Sequence, residues 1–197
     1  MAVESFTCDL YPLTNYDITA KEAQPSKDKT WQHKMERLGK TFEDTGMRHV
    51  VEGVLLVHYR KHPHVLLFQT PDGAFKLPGG RLRPKEGNLE GLLRKLNRRL
   101  APKNVEYKWE IAELVAVWWR PDFDANMYPY LPAHITDPKE RREIYLIPLP
   151  EKCSLCIPKN FKLLAVPLFE LYDNTHRYGP ILSSLPQLLG RINFVCR

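Results

Sequence analysis

Long hydrophobic runs are missing from this 197-residue sequence. The longest apolar stretches, such as residues 54–57 and 65–68, are far shorter than the ~20 residues that a membrane-spanning helix needs. The first residues also lack a basic segment followed by an apolar core, which is the pattern of a secretory signal. The sequence therefore predicts a protein without a membrane partner that stays in the cytosol or the nucleus.

Cysteine is scarce as well, with only Cys8, Cys153, Cys156 and Cys196 in the chain. A structural zinc site needs four ligands, and the C-x-x-C pair at Cys153 and Cys156 has no second pair of cysteines or histidines at a suitable distance. The pair also does not precede the start of a helix, which could lower the pKa of a thiol. We expect free thiols without a metal or redox role, and no cofactor.

The apolar content, 43% of residues against 26% charged, suits one domain of mixed helices and strands. Periodicity predicts strands at residues 8–13, 50–59, 65–70, 74–77, 108–120, 143–149 and 161–166. It predicts four helices: one capped by Asp28 and ending at Gly46, one with an apolar stripe of Leu89, Leu92, Leu93, Leu96 and Leu100, and two at residues 167–172 and 181–192. Because these elements alternate without a regular βαβ period, the expected fold class is α/β, with a mixed sheet and helices on both faces.

Positive charge is concentrated in one segment. Between Arg81 and Arg99 seven basic residues stand against two acidic ones, a local charge of +5 in a chain whose net charge is +6. Such a strip favours a polyanion. The alternative is a solvated helix face on which Glu86, Glu90, Arg94 and Arg98, each four residues from the next, form ordinary surface pairs.

The same segment carries a recognisable spacing. Gly80, Glu86, Arg94 and Leu96 stand where a Nudix box has its first glycine, first glutamate, arginine and aliphatic residue, so residues 76–102 resemble that box. Its remaining carboxylate positions, which hold magnesium ions in a hydrolase, are cationic here: Lys95, Arg98 and Arg99. Three cations repel a divalent metal, so we expect no catalytic residues and no metal site.

The resemblance extends over nearly the whole chain. The stretches that carry it are GMRHVVEGVLLVH (46–58), FKLPGG (75–80), WWRPDF (118–123), YPYLPAHITDPKE (128–140) and YGPILSSLPQLLGRINF (178–194). They are similar to the small Nudix-fold subunit of pre-mRNA cleavage factor I. This resemblance implies a Nudix-type α/β/α sandwich, with residues 1–45 as an N-terminal extension packed on a domain of residues 46–197. It also implies a nuclear, non-hydrolytic homodimer that assembles with a larger subunit carrying an RNA-recognition domain.

The resemblance further implies recognition of single-stranded UGUA RNA upstream of poly(A) sites in mRNA 3′-end cleavage and polyadenylation. The matching positions are Glu52, Phe75, Tyr178, Gly179 and Lys34. An aromatic ring such as Phe75 can stack a base and a carboxylate such as Glu52 can accept from a base edge, although an alternating strand residue such as Phe75 can also be core. Three positions depart from the family pattern: Ala74 for a second phenylalanine, Ser26 for a glutamate, and Lys34 for an arginine, which keeps charge but loses the bidentate fork.

The aromatic, proline-rich loop that continues from residue 118 to residue 138 is the expected contact surface for the dimer or the larger subunit. By resemblance, we expect Tyr128 and Tyr130 of this loop and Leu188 of the last helix to contribute. Two other function classes stay open. One is a magnesium-dependent nucleoside polyphosphate or cap hydrolase with a displaced metal on Glu86, Glu90 and Glu113, and the other is a purely structural scaffold.

Overall fold

The computed structural model of the protein describes residues 6–24 and 30–197. Its strands are β1 (Thr7–Leu10), β2 (Tyr16–Lys21), β3 (Arg48–Tyr59), β4 (His62–Gln69), β5 (Phe75–Lys76), β6 (Gly79–Arg81), β7 (Glu113–Arg120), β8 (Glu140–Ile147), β9 (Cys153–Pro158), β10 (Lys162–Pro167) and β11 (Asn193–Cys196). Its helices are α1 (Trp31–Thr45), α2 (Asn88–Leu100), α3 (Leu168–Leu171) and α4 (Thr175–Leu188). Among these described helices, none is long and apolar enough to cross a membrane.

The central sheet is mixed. Strands β10, β4, β3, β8 and β7 lie side by side in that order, with β5 paired to β4 and β6 to β3. β3 runs parallel to β8, whereas the other pairings are antiparallel. The hairpin predicted from residues 50–59 and 65–70 is confirmed as β3 and β4. Its turn consists of Arg60 and Lys61 at φ 50° and 63°, the positive values that a type I′ hairpin turn requires.

Alternate residues of β3 enter two hydrophobic cores, one on each face of the sheet. Leu56 belongs to the core that α4 covers through Leu182. Its neighbour Leu55 belongs to the core that α2 covers through Leu96. Helices therefore lie on both faces, and the predicted α/β/α sandwich is confirmed.

The apolar stripe of α2 is confirmed in part. Leu92, Leu96 and Leu100 are fully buried, but Leu89 is 51% exposed, so its assignment to the stripe was wrong. Leu89 lies in the first turn of the helix, where Leu82 from the preceding segment packs so closely on Gly91 that a Cβ there would meet its Cδ2 at 2.0 Å. Leu82 fills the core at this end of the helix, and Leu89 is left in solvent.

The sequence pattern failed to predict four strands, which are β2, β6, β9 and β11. Three of them form pairings outside the central sheet, between segments distant in sequence. β1 pairs in parallel with β11, and β2 pairs in parallel with β9. In β2 only Tyr16 is buried and the following residues are exposed, so the strand lacks the alternation that marks a half-buried strand in sequence. β1 also ends at Leu10, earlier than the predicted boundary at residue 13.

The cap of α1 is Thr30, whose hydroxyl accepts a hydrogen bond from the backbone N–H of His33 at 3.3 Å. The predicted cap, Asp28, lies outside the described residues. The helix ends at Gly46 as predicted, where φ is 72°. This places α1 across the start of β3, next to the site described below.

The C-x-x-C pair lies on β9. A spacing of three residues along a strand places Cys153 and Cys156 on opposite faces, because side chains alternate with a period of two. Both are free, as are Cys8 and Cys196. Burial raises the pKa of Cys153 to about 11, so the group stays a thiol at neutral pH.

Candidate nucleic-acid interface

A cavity of about 150 Å³ opens beside the α4 side of the sheet. It brings together four residues that the sequence motifs predicted as an RNA site, Glu52, Phe75, Tyr178 and Gly179. The other lining residues are Lys76, Leu77, Ala125, Met127, Arg142, Pro180, Ile181 and Leu182. The volume lies below the ~300–1,000 Å³ of pockets for drug-sized ligands, so the cavity suits part of one base rather than several nucleotides.

Two aromatic rings form one wall of the cavity. The ring centroids of Phe75 and Tyr178 are 4.7 Å apart and the ring planes are tilted by 47°. Phe75 is partly buried and packs against the α4-side core while also lining the cavity, so both roles considered for it from sequence are compatible with its position. Tyr178 donates its hydroxyl to Glu170 Oε1 at 2.5 Å. Burial and this carboxylate raise the pKa of Tyr178 to about 12, so the phenol stays neutral.

Gly179 determines how Tyr178 is presented. Its φ of 79° breaks α4 into a first turn and a longer segment, and Pro180 begins the second segment. A Cβ at this position would meet no heavy atom within 4 Å, so the need for glycine comes from the backbone angle and not from crowding. The predicted helix at residues 181–192 therefore starts earlier, at Thr175, with the break included.

The floor of the cavity is a buried charge network that the sequence reading missed. Arg142 donates to Glu52 Oε1 at 3.3 Å and to Glu140 Oε1 at 2.8 Å. Burial raises the pKa of Glu52, although Arg142 opposes this. Burial alone would lower the pKa of Arg142, but the two carboxylates raise it, so the guanidinium is charged.

Glu140 is the centre of that network and is completely buried. Besides Arg142, it lies 3.6 Å from Arg48 Nε and 3.9 Å from Arg120 Nε. The signal in the sequence was the charged start of β8, residues 140–143, directly before an apolar run. The expected strand began only at residue 143 and left Glu140 and Arg142 outside it.

Lys34 does not line the cavity. Its Nζ lies 5.0 Å from the centroid of the Trp31 ring, on α1. Burial first, and then the charge of Arg142, lower the pKa of Lys34 to about 8. The positive charge of Lys34 in turn acts to lower the pKa of Glu52, so Lys34 is an electrostatic neighbour of the cavity. Ser26 lies outside the described residues.

Helix α2, which belongs to the segment that resembles the box, lies on the other face of the sheet. Arg94 binds Glu86 through two hydrogen bonds, and the backbone N–H of Arg83 donates to Glu86 Oε2 at 2.8 Å. Lys95 lies beside Gly80, where its Nζ would be 3.4 Å from an added Cβ. Burial, followed by the charge of Arg94, lowers the pKa of Lys95 to about 8.

The described residues contain no group of three or more histidines, cysteines, aspartates or glutamates placed to hold a metal ion. Of the carboxylates considered for a displaced metal, Glu86 is paired with Arg94, and Glu113 on β7 lies 3.5 Å from Arg191. No residue of the basic strip, Arg81–Arg99, is among the described residues that line the cavity. Of residues 76–102, Lys76 and Leu77 line the cavity, so the geometry does not join α2 or its charge to it.

The loop that follows β7 presents tyrosine more than tryptophan. Tyr130 is 59% exposed, Tyr128 is partly buried, and their ring centroids are 5.8 Å apart. The backbone of Tyr128 exchanges two hydrogen bonds with Trp119, while Trp118 is buried in the core. Leu188 is partly buried against the α4-side core.

Comparisons with known proteins agree with this architecture. A Nudix family model described as nucleotide hydrolase matches residues 6–192. The pre-mRNA cleavage factor Im 25 kDa subunit 2 of Arabidopsis thaliana is 48% identical over 93% of each chain. The cleavage and polyadenylation specificity factor subunit 5 of Dictyostelium discoideum is 40% identical over 99% of this chain and 98% of its own. The chain belongs to the Nudix-fold family of cleavage factor Im 25 kDa subunits.

A solved structure outside that family shares the fold. The E. coli ORF135 protein superposes with a TM-score of 0.50 at 18% identity and covers 75% of this chain and 91% of its own. The description of the family model is nucleotide hydrolase, whereas the two relatives are named as a cleavage factor subunit and a cleavage and polyadenylation factor subunit. In this cleavage factor Im family member, the helix of the segment that resembles the box carries the cations Lys95, Arg98 and Arg99.

Proposed function

We propose that this protein is a non-hydrolytic subunit of a nuclear pre-mRNA cleavage factor that binds single-stranded UGUA RNA upstream of poly(A) sites. The observation that carries the proposal is the convergence of Glu52, Phe75, Tyr178 and Gly179 on one cavity, from strands and a helix far apart in sequence. Full-length similarity to cleavage factor Im subunits supports the process, mRNA 3′-end cleavage and polyadenylation.

The chemistry of the cavity suits an unpaired nucleobase. Single-stranded RNA is read by stacking splayed bases on aromatic rings and by hydrogen bonds to their edges. Phe75 supplies a ring, and Glu52 supplies carboxylate oxygens that accept from the N–H groups of uracil or guanine. Arg142 holds the carboxylate of Glu52 in place, so the acceptor is oriented before RNA arrives.

Hydrolysis is not part of this proposal because the box offers cations where a magnesium ion needs carboxylates. Its remaining glutamate, Glu86, is held by Arg94. The rival hydrolase would have to draw ligands from Glu90 or Glu113 as well. Turnover of a dinucleoside polyphosphate or capped RNA that Glu86→Gln abolishes would establish that rival.

The test of RNA recognition compares affinity for a short UGUA RNA and a scrambled RNA of the same composition. Phe75→Ala is expected to remove most of the preference for UGUA, since loss of one stacking ring costs ~1–3 kcal/mol. Tyr59→Ala is the matched control, because Tyr59 is a half-exposed aromatic residue at the far end of the β3–β4 hairpin. Equal affinity of the wild type for both RNAs would overturn the proposed recognition. If the protein shows neither RNA binding nor turnover, the purely structural scaffold is the function class that stays.

For assembly, we propose a homodimer that docks a larger subunit with an RNA-recognition domain. The surface proposed for these contacts includes Tyr128, Tyr130 and Leu188. Exposure of Tyr130 beside the partly buried Tyr128 supports this, because aromatic residues are enriched at the centres of interfaces. A strictly monomeric protein at micromolar concentration that is indifferent to the larger subunit would contradict it.

A further inference from the structure

Arg177 stands at the rim of the aromatic cavity. It precedes Tyr178 in the first turn of α4, and its side chain is 55% exposed. Its guanidinium carbon lies 5.2 Å from the centroid of the Tyr178 ring and 5.9 Å from that of Phe75. A planar cation therefore lies beside both rings of the proposed base-binding wall.

Glu170 fixes the position of this cation. One carboxylate oxygen, Oε1, accepts a hydrogen bond from Arg177 Nη1 at 3.0 Å and another from the Tyr178 hydroxyl at 2.5 Å. The guanidinium and the phenol are thus held by the same atom. A guanidinium carries five N–H donors, so the contact with Glu170 leaves donors for a ligand.

Three cations lie at the cavity. Arg142 and the exposed Lys76 line it, and the charge of Arg142 is offset by Glu52 and Glu140. Arg177 is the cation that lies beside both Phe75 and Tyr178. The basic strip contributes none of the described lining residues, as shown above. RNA whose base enters the cavity carries a phosphate on either side of that base, and an exposed arginine beside the rings meets this charge. Arginine suits phosphate because its fork donates two parallel hydrogen bonds.

We propose that Arg177 binds a backbone phosphate of the RNA whose base stacks against Phe75. This inference rests on the proposed RNA recognition and adds an affinity-determining residue to it. Glu170 acts as a positioning residue that orients the guanidinium before binding. A phosphate contact carries no sequence information, so Arg177 strengthens binding of RNA regardless of sequence while the contacts to the base inside the cavity supply the preference.

The salt dependence of binding is the measurement that separates these roles. Each phosphate contact to a single strand contributes ~0.7 to the slope of log affinity against log salt. Arg177→Gln is expected to reduce that slope by ~0.7. If the affinities of the wild type and the variant are equal near ~1 M salt, the variant binds about fivefold more weakly at ~0.1 M salt. The loss should be equal for UGUA and scrambled RNA. Arg177→Lys keeps the charge and should retain the wild-type slope.

Arg191→Gln is the matched control. Arg191 is 53% exposed and also pairs with a glutamate, Glu113, at 3.5 Å. Unlike Arg177, it does not lie over the ring of Phe75 or Tyr178. Thermal unfolding of each variant checks that the fold is intact. This control should leave both the slope and the affinity as in the wild type.

Three results would overturn the inference. An Arg177→Gln slope equal to that of the wild type, with UGUA preference intact, removes the phosphate contact and leaves the proposed function standing. Loss of UGUA preference in both Arg177→Gln and Arg177→Lys, at an unchanged slope, makes the residue a base reader instead. Absence of any UGUA preference in the wild type, unaffected by Phe75→Ala, overturns the proposed function and the inference together.

Discussion

Glu86 and Arg94 join their side chains through two hydrogen bonds, of 2.5 and 2.7 Å, although they are eight residues apart in the chain. The sequence suggested surface pairs between residues four apart on one helix. The structure instead links the segment before α2 to the middle of that helix, because Glu86 precedes the first residue of α2, Asn88. The one box glutamate kept in its expected place is thus bound to a cation.

This pair should make stability depend on pH in acid. The hydrogen bonds from Arg94 hold the pKa of Glu86 at about 2, below its ordinary value of 4.5. The contribution of a depressed carboxyl pKa is complete above the unfolded value and is lost as the pH falls toward the folded value. The wild type should therefore lose its stability advantage over Glu86→Gln between about pH 4.5 and about pH 2.

Urea unfolding of both proteins across that range measures the effect. Glu90→Gln serves as the control, since Glu90 is exposed on α2, the helix that carries Arg94. A difference between wild type and Glu86→Gln that stays constant through the acid range would contradict the pairing.

Gly79 and Gly80 should respond differently to alanine. Both have φ of 151°, but a Cβ at Gly79 would lie 2.1 Å from the backbone oxygen of Val51, whereas one at Gly80 would lie 3.4 Å from the side-chain end of Lys95. Backbone cannot yield without breaking the β3–β6 pairing, while a lysine tip can move. Gly80→Ala should lower the free energy of unfolding by ~1–3 kcal/mol through backbone strain. Gly79→Ala should lower it by several times as much or prevent folding. Circular dichroism and urea unfolding distinguish the two, and equal losses would argue against the close approach.

Removal of Glu140 should be among the most damaging single changes. Its carboxylate is buried among Arg48, Arg120 and Arg142, and Glu140→Gln leaves three guanidinium groups without their shared counter-charge. Breaking a buried ion pair from one side costs about 3–5 kcal/mol. Glu113→Gln, which loses a partly exposed pair with Arg191, should cost less than ~1 kcal/mol in the same unfolding experiment. Similar losses for both variants would show that the network does not carry this energy.

RNA affinity should fall in alkali through Lys34. Because the pKa of Lys34 is about 8, most of its charge is lost by about pH 9. Binding of the wild type should weaken as the pH rises through that pKa, since RNA is attracted to the charged form. Lys34→Arg keeps its charge over this range and should bind with nearly constant affinity. Parallel pH profiles of the two proteins would exclude a role for this residue.

Assembly should be separable from folding at Tyr130. This side chain is 59% exposed, so Tyr130→Arg should leave the unfolding temperature unchanged while it weakens binding to the larger subunit at least tenfold. Tyr59→Arg changes another half-exposed tyrosine, 48% exposed at the hairpin end, and should bind normally. Binding of the purified larger subunit, followed by calorimetry, tests both. Unimpaired binding of Tyr130→Arg would move the contact to another surface.

The elements predicted well from sequence are those whose signal is local. The β3–β4 hairpin has its turn and alternation in one window, and α2 has its leucine stripe, so both were found. The pairing of β2 with β9 joins segments more than a hundred residues apart and buries little of β2, so no local pattern in either segment predicts the pairing. Leu89 was misplaced because periodicity cannot show where a helix passes the edge of its core.

The residues of the candidate site also fall into two groups, those with a sequence motif and those without one. The motif resemblance named Glu52, Phe75, Tyr178 and Gly179 as an RNA site, which stays a prediction. Their common cavity follows from the sheet order and the break in α4. Arg142 and Glu140 have no motif, since their meaning comes from burial together. Arg177 was missed because a lone exposed arginine becomes informative only beside the rings of the cavity.

The pairing of β1 with β11 affects how the protein is made. Thr7 has Asn193 as its partner in the register, so β1 leaves the ribosome 186 residues before the strand that pairs with it. At ~5–20 residues per second this interval is roughly 10–40 s. During that time Cys8 and Leu10, which are buried in the finished core, have no β11 to pair beside them. A nascent chain stalled before β11 should therefore expose this first strand to chaperones, even when the β3–β4 hairpin has already formed.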